Sequence, residues 1–224
     1  MMTNLFSSFD PSTSQNLAFN WISAMIPILL TPLTYWVIPN RSSLTIKTLL
    51  TYLNNELKSL LNPSNTPGLT IFIIAIMWMI MINNLGGLIP FVFTATSHMV
   101  ISISLALPLW LTFMIFGWLN NTNKMFAHLL PNNTPIALMS FMILIETVSN
   151  LIRPLTLSIR LSANMIAGHL LLTLLGNQGT ILSLTTTSMV IMVQLTLLTL
   201  ELAVAMIQAY VFIVLISLYS TEVH

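Results

Sequence analysis

Between residues 135 and 220 the chain is almost wholly apolar, and against that background a few side chains stand out: Glu146, Arg153, Arg160, Asn164, His169, Gln194, Glu201 and Gln208. Arg160 is the sharpest of them. Its guanidinium carries a fixed positive charge, and burying it in hydrocarbon costs at least about 3 kcal/mol, so it needs an anion or water beside it. At 100° per residue, Glu146, Ser149, Arg153 and Asn164 fall within about 40° of Arg160, which makes one stripe of the helix polar. Thr187, Gln194, Glu201 and Gln208 recur every seven residues and form a second stripe. His169 lies about 180° from Arg160, on another face. Carboxyls and an imidazole take up and return protons, while amides and hydroxyls order water between them. Together these residues are the parts of a proton path.

The partner of Arg160 is less obvious. Glu146 lies 14 residues earlier, about 21 Å along a helix axis and out of reach. Folding the second apolar run back about Gln178 sets Glu201 roughly opposite residue 155, within about two turns. Glu201 is therefore expected to pair with Arg153 or Arg160, and one arginine is left for a carboxylate from another chain. A plain helix-packing ion pair is the simpler alternative. Other chemistries find little support. The chain has no Cys, so disulfides, thiolate metal sites and a Cys nucleophile are excluded. No nucleophile–base spacing, phosphate loop or HExxH is present, and four isolated His offer no haem ligand pair. No metal, cofactor or nucleotide site is expected.

The elements that position these residues follow from composition. The 224 residues are 56% hydrophobic and 5% charged, with mean hydropathy +0.91, against about 25% charge in soluble domains. Six Lys+Arg and five Asp+Glu leave no basic face for nucleic acid. The reading is an all-α, polytopic membrane protein in one domain, 1–224. Residues 16–38 are uncharged and long enough to span about 30 Å of hydrocarbon, with Trp21 and Trp36 near the ends and Pro27 and Pro32 as kinks. In 43–61, Ile46, Leu49, Leu50, Leu53, Leu57 and Leu60 oppose Lys47, Asn54, Asn55 and Lys58, which describes an amphipathic surface helix. Residues 68–89 and 97–119 make two further spans, the first closing on Asn83, Asn84, Gly86 and Gly87. Those four serve helix packing or, less simply, an aqueous vestibule.

The runs 135–176 and 180–220, separated by a turn at Asn177, Gln178 and Gly179, are each about twice as long as a span needs. Each is either two vertical spans, broken near Pro154 in the first, or one helix tilted far beyond the usual 20°. No polar linker marks a break, so the expectation is three roughly vertical helices plus a hairpin of two long, steeply tilted ones. Arg41, Lys47, Lys58 and Lys124 place the surface helix and the 120–134 loop inside and the N-terminus outside. The first fifteen residues hold no Lys or Arg and lack the marks of a signal or transit peptide. Insertion by the first span, or synthesis beside the membrane, is expected.

The stretch IRPLTLSIRLSANMIAGHLLLTLLG, 152–176, resembles the signature of the ATP synthase subunit a (subunit 6) family of the mitochondrial F-type enzyme. LELAVAMIQAYVF at 200–212, NNLGGLIPFVFTATSH at 83–98 and LALPLW at 105–110 are similar to its other helices, so the likeness covers essentially the whole chain. The resemblance implies a non-catalytic, proton-translocating stator subunit of the mitochondrial inner membrane, with its N-terminus in the intermembrane space and its C-terminus in the matrix. It implies that Arg160 meets the carboxylates of a ring of c subunits, between two offset half-channels. His169 and Glu201 would line the intermembrane-space side and Glu146 the matrix side, with Asn164, Gln208, Gln194 and Arg153 as polar neighbours. Implied partners are the c-ring, peripheral-stalk and other membrane subunits, protons, water and lipid, with nucleotide chemistry on other subunits. The alternative is a proton-pumping membrane subunit of respiratory NADH–quinone oxidoreductase. Such subunits rely on Lys and Glu within broken helices, and no span here contains Lys, which argues against it. A purely structural assembly subunit would leave Arg160 unexplained.

Overall fold

A computed structural model describes residues 5–14, 17–31, 38–61, 68–90, 92–130, 135, 138–179 and 184–223. After a short 3-10 turn at Leu5–Phe9, a second one at Phe19–Met25 runs into helix α1, Ile26–Leu30, which ends at the extended Thr31. Thr31 precedes Pro32, and a residue before proline is disfavoured in the helical region. Residues 32–37, where the first expected span would continue, lie outside the described residues, as does the expected turn after 61.

Helix α2, Arg41–Leu60, begins at Asn40, whose side chain accepts from the Arg41 N–H at 2.8 Å. Its apolar stripe divides between two surroundings. Leu50, Leu53, Leu57 and Leu61 pack into the protein core, while Leu49 and Leu60 stay exposed. On the neighbouring surface Tyr210 Oη donates to Glu56 Oε1 at 2.7 Å, which fastens α2 to the last helix. An amphipathic helix with one polar tether and a divided apolar face suits the boundary of a membrane protein.

Helices α3, Leu69–Gly87, and α4, Met99–Asn120, are apolar on every side, as a membrane span must be. Gly68 leads into α3 at φ 90°, a conformation L side chains rarely adopt. At the far end a Cβ on Gly87 would sit 2.8 Å from Thr94 Cγ2, so the chain reverses in very close quarters. Helix α5, Thr122–His128, follows as a short polar element.

The two long runs are single helices. Helix α6 is Met139–Gly179, 41 residues with Pro154 inside it, and α7 is Leu184–Val223, 40 residues. Each is roughly 60 Å long, so a bilayer core of about 30 Å can hold either only at a steep tilt or with its ends outside. The reading of vertical half-length spans broken near Pro154 is thereby set aside. One expectation needs correction. Asn177, Gln178 and Gly179 do not form the turn but continue α6 as helix. Asn164 bonds Gln208, Gly168 faces Glu201 and Gly176 faces Gln194. The midpoints of these pairs fall at 184–186 rather than at 178. Glu201 therefore lies opposite residue 168, not 155, a difference of roughly 20 Å along the axis.

The core lies where α3, α4, α6 and α7 meet, around Ile73, Ile80, Leu161, Phe212 and Ile213, all about 1% exposed. Ser102, Ser158, Ser162, Ser217 and Ser220 are equally buried. Each turns its hydroxyl back to a carbonyl of its own helix, as in Ser158 to Leu155 at 2.9 Å and Ser217 to Val214 at 2.8 Å. Small, internally satisfied residues let helices approach closely where lipid gives no hydrophobic drive to pack.

Candidate functional site

Midway along the hairpin a cavity opens between α6 and α7, with Asn84 of α3 on its wall. The cavity between them has a volume of about 210 Å³ and is lined mainly by apolar side chains, with Asn84, Asn164, Glu201 and Gln208 as its polar groups. Asn164 Nδ2 donates to Gln208 Oε1 at 3.1 Å, joining the two polar stripes. Gln208 is 7% exposed. Glu201 is half-buried; both its carboxyl oxygens are shielded from solvent, and neither has a hydrogen-bond partner among the described residues. A carboxyl so placed either holds a proton or is met by water, since a bare buried charge is costly.

The position of Glu201 depends on a glycine. A Cβ at residue 168 would come within 2.5 Å of Glu201 Oε1 and 2.7 Å of its Cδ. Gly168→Ala is therefore expected to displace the carboxyl, because its flexible stem yields before the helices do. Gly168→Val adds overpacking of about 1–3 kcal/mol. The check is the position of the Glu201 carboxyl in a structure of each variant, expected to move for Ala and further for Val. An unmoved carboxyl in both would mean that Gly168 does not set its position.

Asn84 is the residue whose part sequence reasoning left open. It is fully buried; Nδ2 reaches the Ala205 carbonyl at 3.5 Å, while Oδ1 has no hydrogen-bond partner among the described residues. Its place in the cavity wall favours the vestibule reading of the Asn–Asn–Leu–Gly–Gly segment over packing alone, although Gly87 does serve close packing. The signal available in sequence was an uncompensated amide at the end of an apolar span.

Arg160 lies one turn before Asn164 on the same stripe and is exposed, flanked by the exposed Leu155 and Ile159. Among the described residues it has no ion pair or hydrogen bond. The expected pairing of Glu201 with Arg153 or Arg160 does not occur, because the true hairpin register carries Glu201 past both. Arg153 instead meets Glu146, Nη2 to Oε1 at 3.5 Å, and lies over the Tyr219 ring at 5.0 Å. Glu146 and Arg153 are seven residues apart, two turns along one stripe, and the long arginine stem covers the rise of about 10 Å. The seven-residue spacing of Glu146 and Arg153 on one stripe is the signal in the sequence for this pair.

His169 is half-buried and points away from the cavity, as its 180° offset required. Its Nε2 is shielded, without a hydrogen-bond partner among the described residues, and the Phe9 ring meets the imidazole edge-on at 6.3 Å. Phe9 is held in turn by His98, whose Nε2 lies 2.9 Å from the Phe9 carbonyl, and His98 packs between Trp21 and Phe93. Gln194 approaches Gly176, beyond the cavity. No group of three or more His, Asp and Glu comes together among the described residues in a way that could hold a metal ion.

A cavity at the crossing of two long helices, with a polar stripe on each and an arginine beside it, can be compared with known proteins. A sequence model of the ATP synthase A chain family matches residues 17–221. The chain belongs to the ATP synthase A chain family. It is similar to ATP synthase subunit a of Locusta migratoria, 56% identical over 227 residues, with all of both chains covered. It is likewise 54% identical to the subunit of Drosophila melanogaster over 224 residues and to that of Anopheles gambiae over 226, again with full coverage of both. With four helices long and apolar enough to cross a membrane among those described, this family membership makes the chain a multi-pass subunit of the ATP synthase membrane sector.

Proposed function

We propose that this subunit moves protons across the mitochondrial inner membrane to and from a rotating ring of c subunits, as the stator of the motor. One observation carries the reading: Glu201, a shielded carboxyl without a hydrogen-bond partner among the described residues, opens on a mainly apolar cavity whose other polar groups are amides. One of those amides, Asn164, lies one helical turn from Arg160, which is exposed and has no ion pair among the described residues. A proton-exchanging group and a fixed positive charge waiting for a carboxylate are the two elements such a motor needs.

In this mechanism a proton enters from the intermembrane space by water near His169 and Glu201 and neutralises a c-ring carboxylate. The ring carries the neutral acid through lipid, where a charged one would meet a large desolvation cost. At the second half-channel the acid loses its proton past Glu146 to the matrix. Arg160 stands between the two paths, attracts the ionised carboxylate and repels a proton crossing directly. Asn164, Gln208 and Asn84 order the water at the entrance, and Arg153 holds Glu146 at the exit. Gln194 extends the polar stripe of α7 towards the intermembrane space.

The contacts support this polarity. Phe9, Trp21, Phe93, His98 and His169 gather at one end of the molecule, which agrees with an N-terminus and a 90–97 loop on the same, outer side. Glu146, Arg153 and Tyr219 gather around α4 and α5 at the other end, which agrees with a matrix-side C-terminus.

The test is mass spectrometry of the intact complex that co-purifies with this chain in mild detergent. A ring of small two-helix subunits bearing a mid-membrane carboxylate, together with nucleotide-binding subunits, is expected. Recovery of flavin and iron–sulfur subunits in their place would overturn the proposal.

A further inference from the structure

A second, much smaller cavity lies in the seam between α4, α5 and α6, at the end of the molecule away from Glu201. Trp110 of α4, His128 of α5, Asn150 and Arg153 of α6 and Tyr219 of α7 are among the side chains that line it. Two of its atoms break the rule that buried polar groups find partners. Trp110 Nε1 and Asn150 Oδ1 are both shielded from solvent, and neither has a hydrogen-bond partner among the described residues.

The two orphans are complementary. An indole N–H can only donate, and an amide oxygen can only accept. Direct contact would have satisfied both, but no hydrogen bond joins them, although their residues, on different helices, line the same space. That space has a volume of about 20 Å³. By this measure a single water needs about 10–15 Å³ together with two or more polar partners. The cavity is thus large enough for one water and too small for two. Dry cavities in proteins are apolar, and this one is not.

We infer that this seam is a binding site for one structural water, which accepts from Trp110 Nε1–H and donates to Asn150 Oδ1. The water joins α4 to α6 across a gap that their side chains do not close directly. It also sits beside the charged part of α6. Asn150 is one turn from Glu146 and three residues before Arg153, whose guanidinium is already placed by Glu146 at 3.5 Å and by the Tyr219 ring. One hydrogen and one lone pair of the water remain for Arg153 or His128, which share the lining. This inference depends only on the geometry of the seam, and it stands whether or not protons leave past Glu146.

The experiment is an electron cryo-microscopy map of the intact complex at a resolution that shows ordered waters, with the same map for two variants. In the unaltered complex a compact peak is expected within hydrogen-bonding distance of both Trp110 Nε1 and Asn150 Oδ1. Trp110→Phe removes the donor, and Asn150→Leu removes the acceptor while filling the space; each is expected to lose the peak. The inference is overturned if the unaltered map shows no peak there, if Trp110 and Asn150 bond each other directly, or if the peak persists in both variants. Should either variant fail to assemble, the unaltered map still decides.

Discussion

Replacing Arg160 with Ala is expected to abolish ATP-driven proton pumping while leaving the complex assembled. Assembly should survive because the side chain is exposed and no residue described here depends on it for a partner. Its removal even relieves the cost of at least about 3 kcal/mol of holding a guanidinium at membrane depth. Function should fail because the other cation on that stripe of α6, Arg153, is already engaged by Glu146 and the Tyr219 ring and lies about two turns away. The effective penalty for an uncompensated ion in such surroundings is several kcal/mol, and each 1.36 kcal/mol is a factor of ten in rate, so the expected loss is about 100-fold or more. Arg160→Lys should fail as well. An ammonium lacks the planar fork and can give up its proton when desolvated. Proton pumping in reconstituted vesicles, measured alongside ATP hydrolysis, checks both variants; normal coupling in Arg160→Ala would sink the assignment of this residue.

The second large effect is expected at Glu201. Glutamine has nearly the same shape, fits against Gly168 and can still bond within the cavity, so the hairpin should form unchanged. It cannot take up and release a proton. A positioned acid–base group contributes about 10²–10⁴-fold to a proton transfer, and water in the cavity can replace part of that, so Glu201→Gln should slow proton entry about 10–100-fold. ATP-driven acidification of vesicles with a fixed number of complexes would show this. Flux equal to that of the unaltered complex, with full assembly, would count against a channel role for Glu201. Glu201→Asp separates position from chemistry. It keeps the carboxyl but draws it back from Gly168, and it should retain more flux than the amide.

Much of the architecture is legible in the chain because a membrane leaves few solutions. Backbone groups in hydrocarbon must be satisfied within the segment, so every apolar run of sufficient length has to be a helix. The same argument made α6 and α7 continuous, since a break at Pro154 would have needed polar residues that are absent. The two polar stripes could also be read, because side-chain direction on a helix follows from position alone. Family membership was legible in another way, through the resemblance of the stretch around Arg160 to the family's signature.

What the helices do to one another was not legible. Sequence spacing places residues on faces but does not set how far one helix slides along its neighbour. That register comes from which side chains interlock, and here Gly168 admits the Glu201 carboxyl while Asn164 bonds Gln208. The slide of roughly 20 Å takes Glu201 away from both arginines and leaves Arg160 without an anion among the described residues. Asn84 has the same history. An amide at the end of a span reads as packing or as vestibule equally well, and only the approach of α3 to the hairpin put it into the cavity wall. The order of helices, their length and the residues they offer followed from local rules of solvation and periodicity. Who faces whom was decided by tertiary packing, because close contact between helices depends on the shapes of both partners at once.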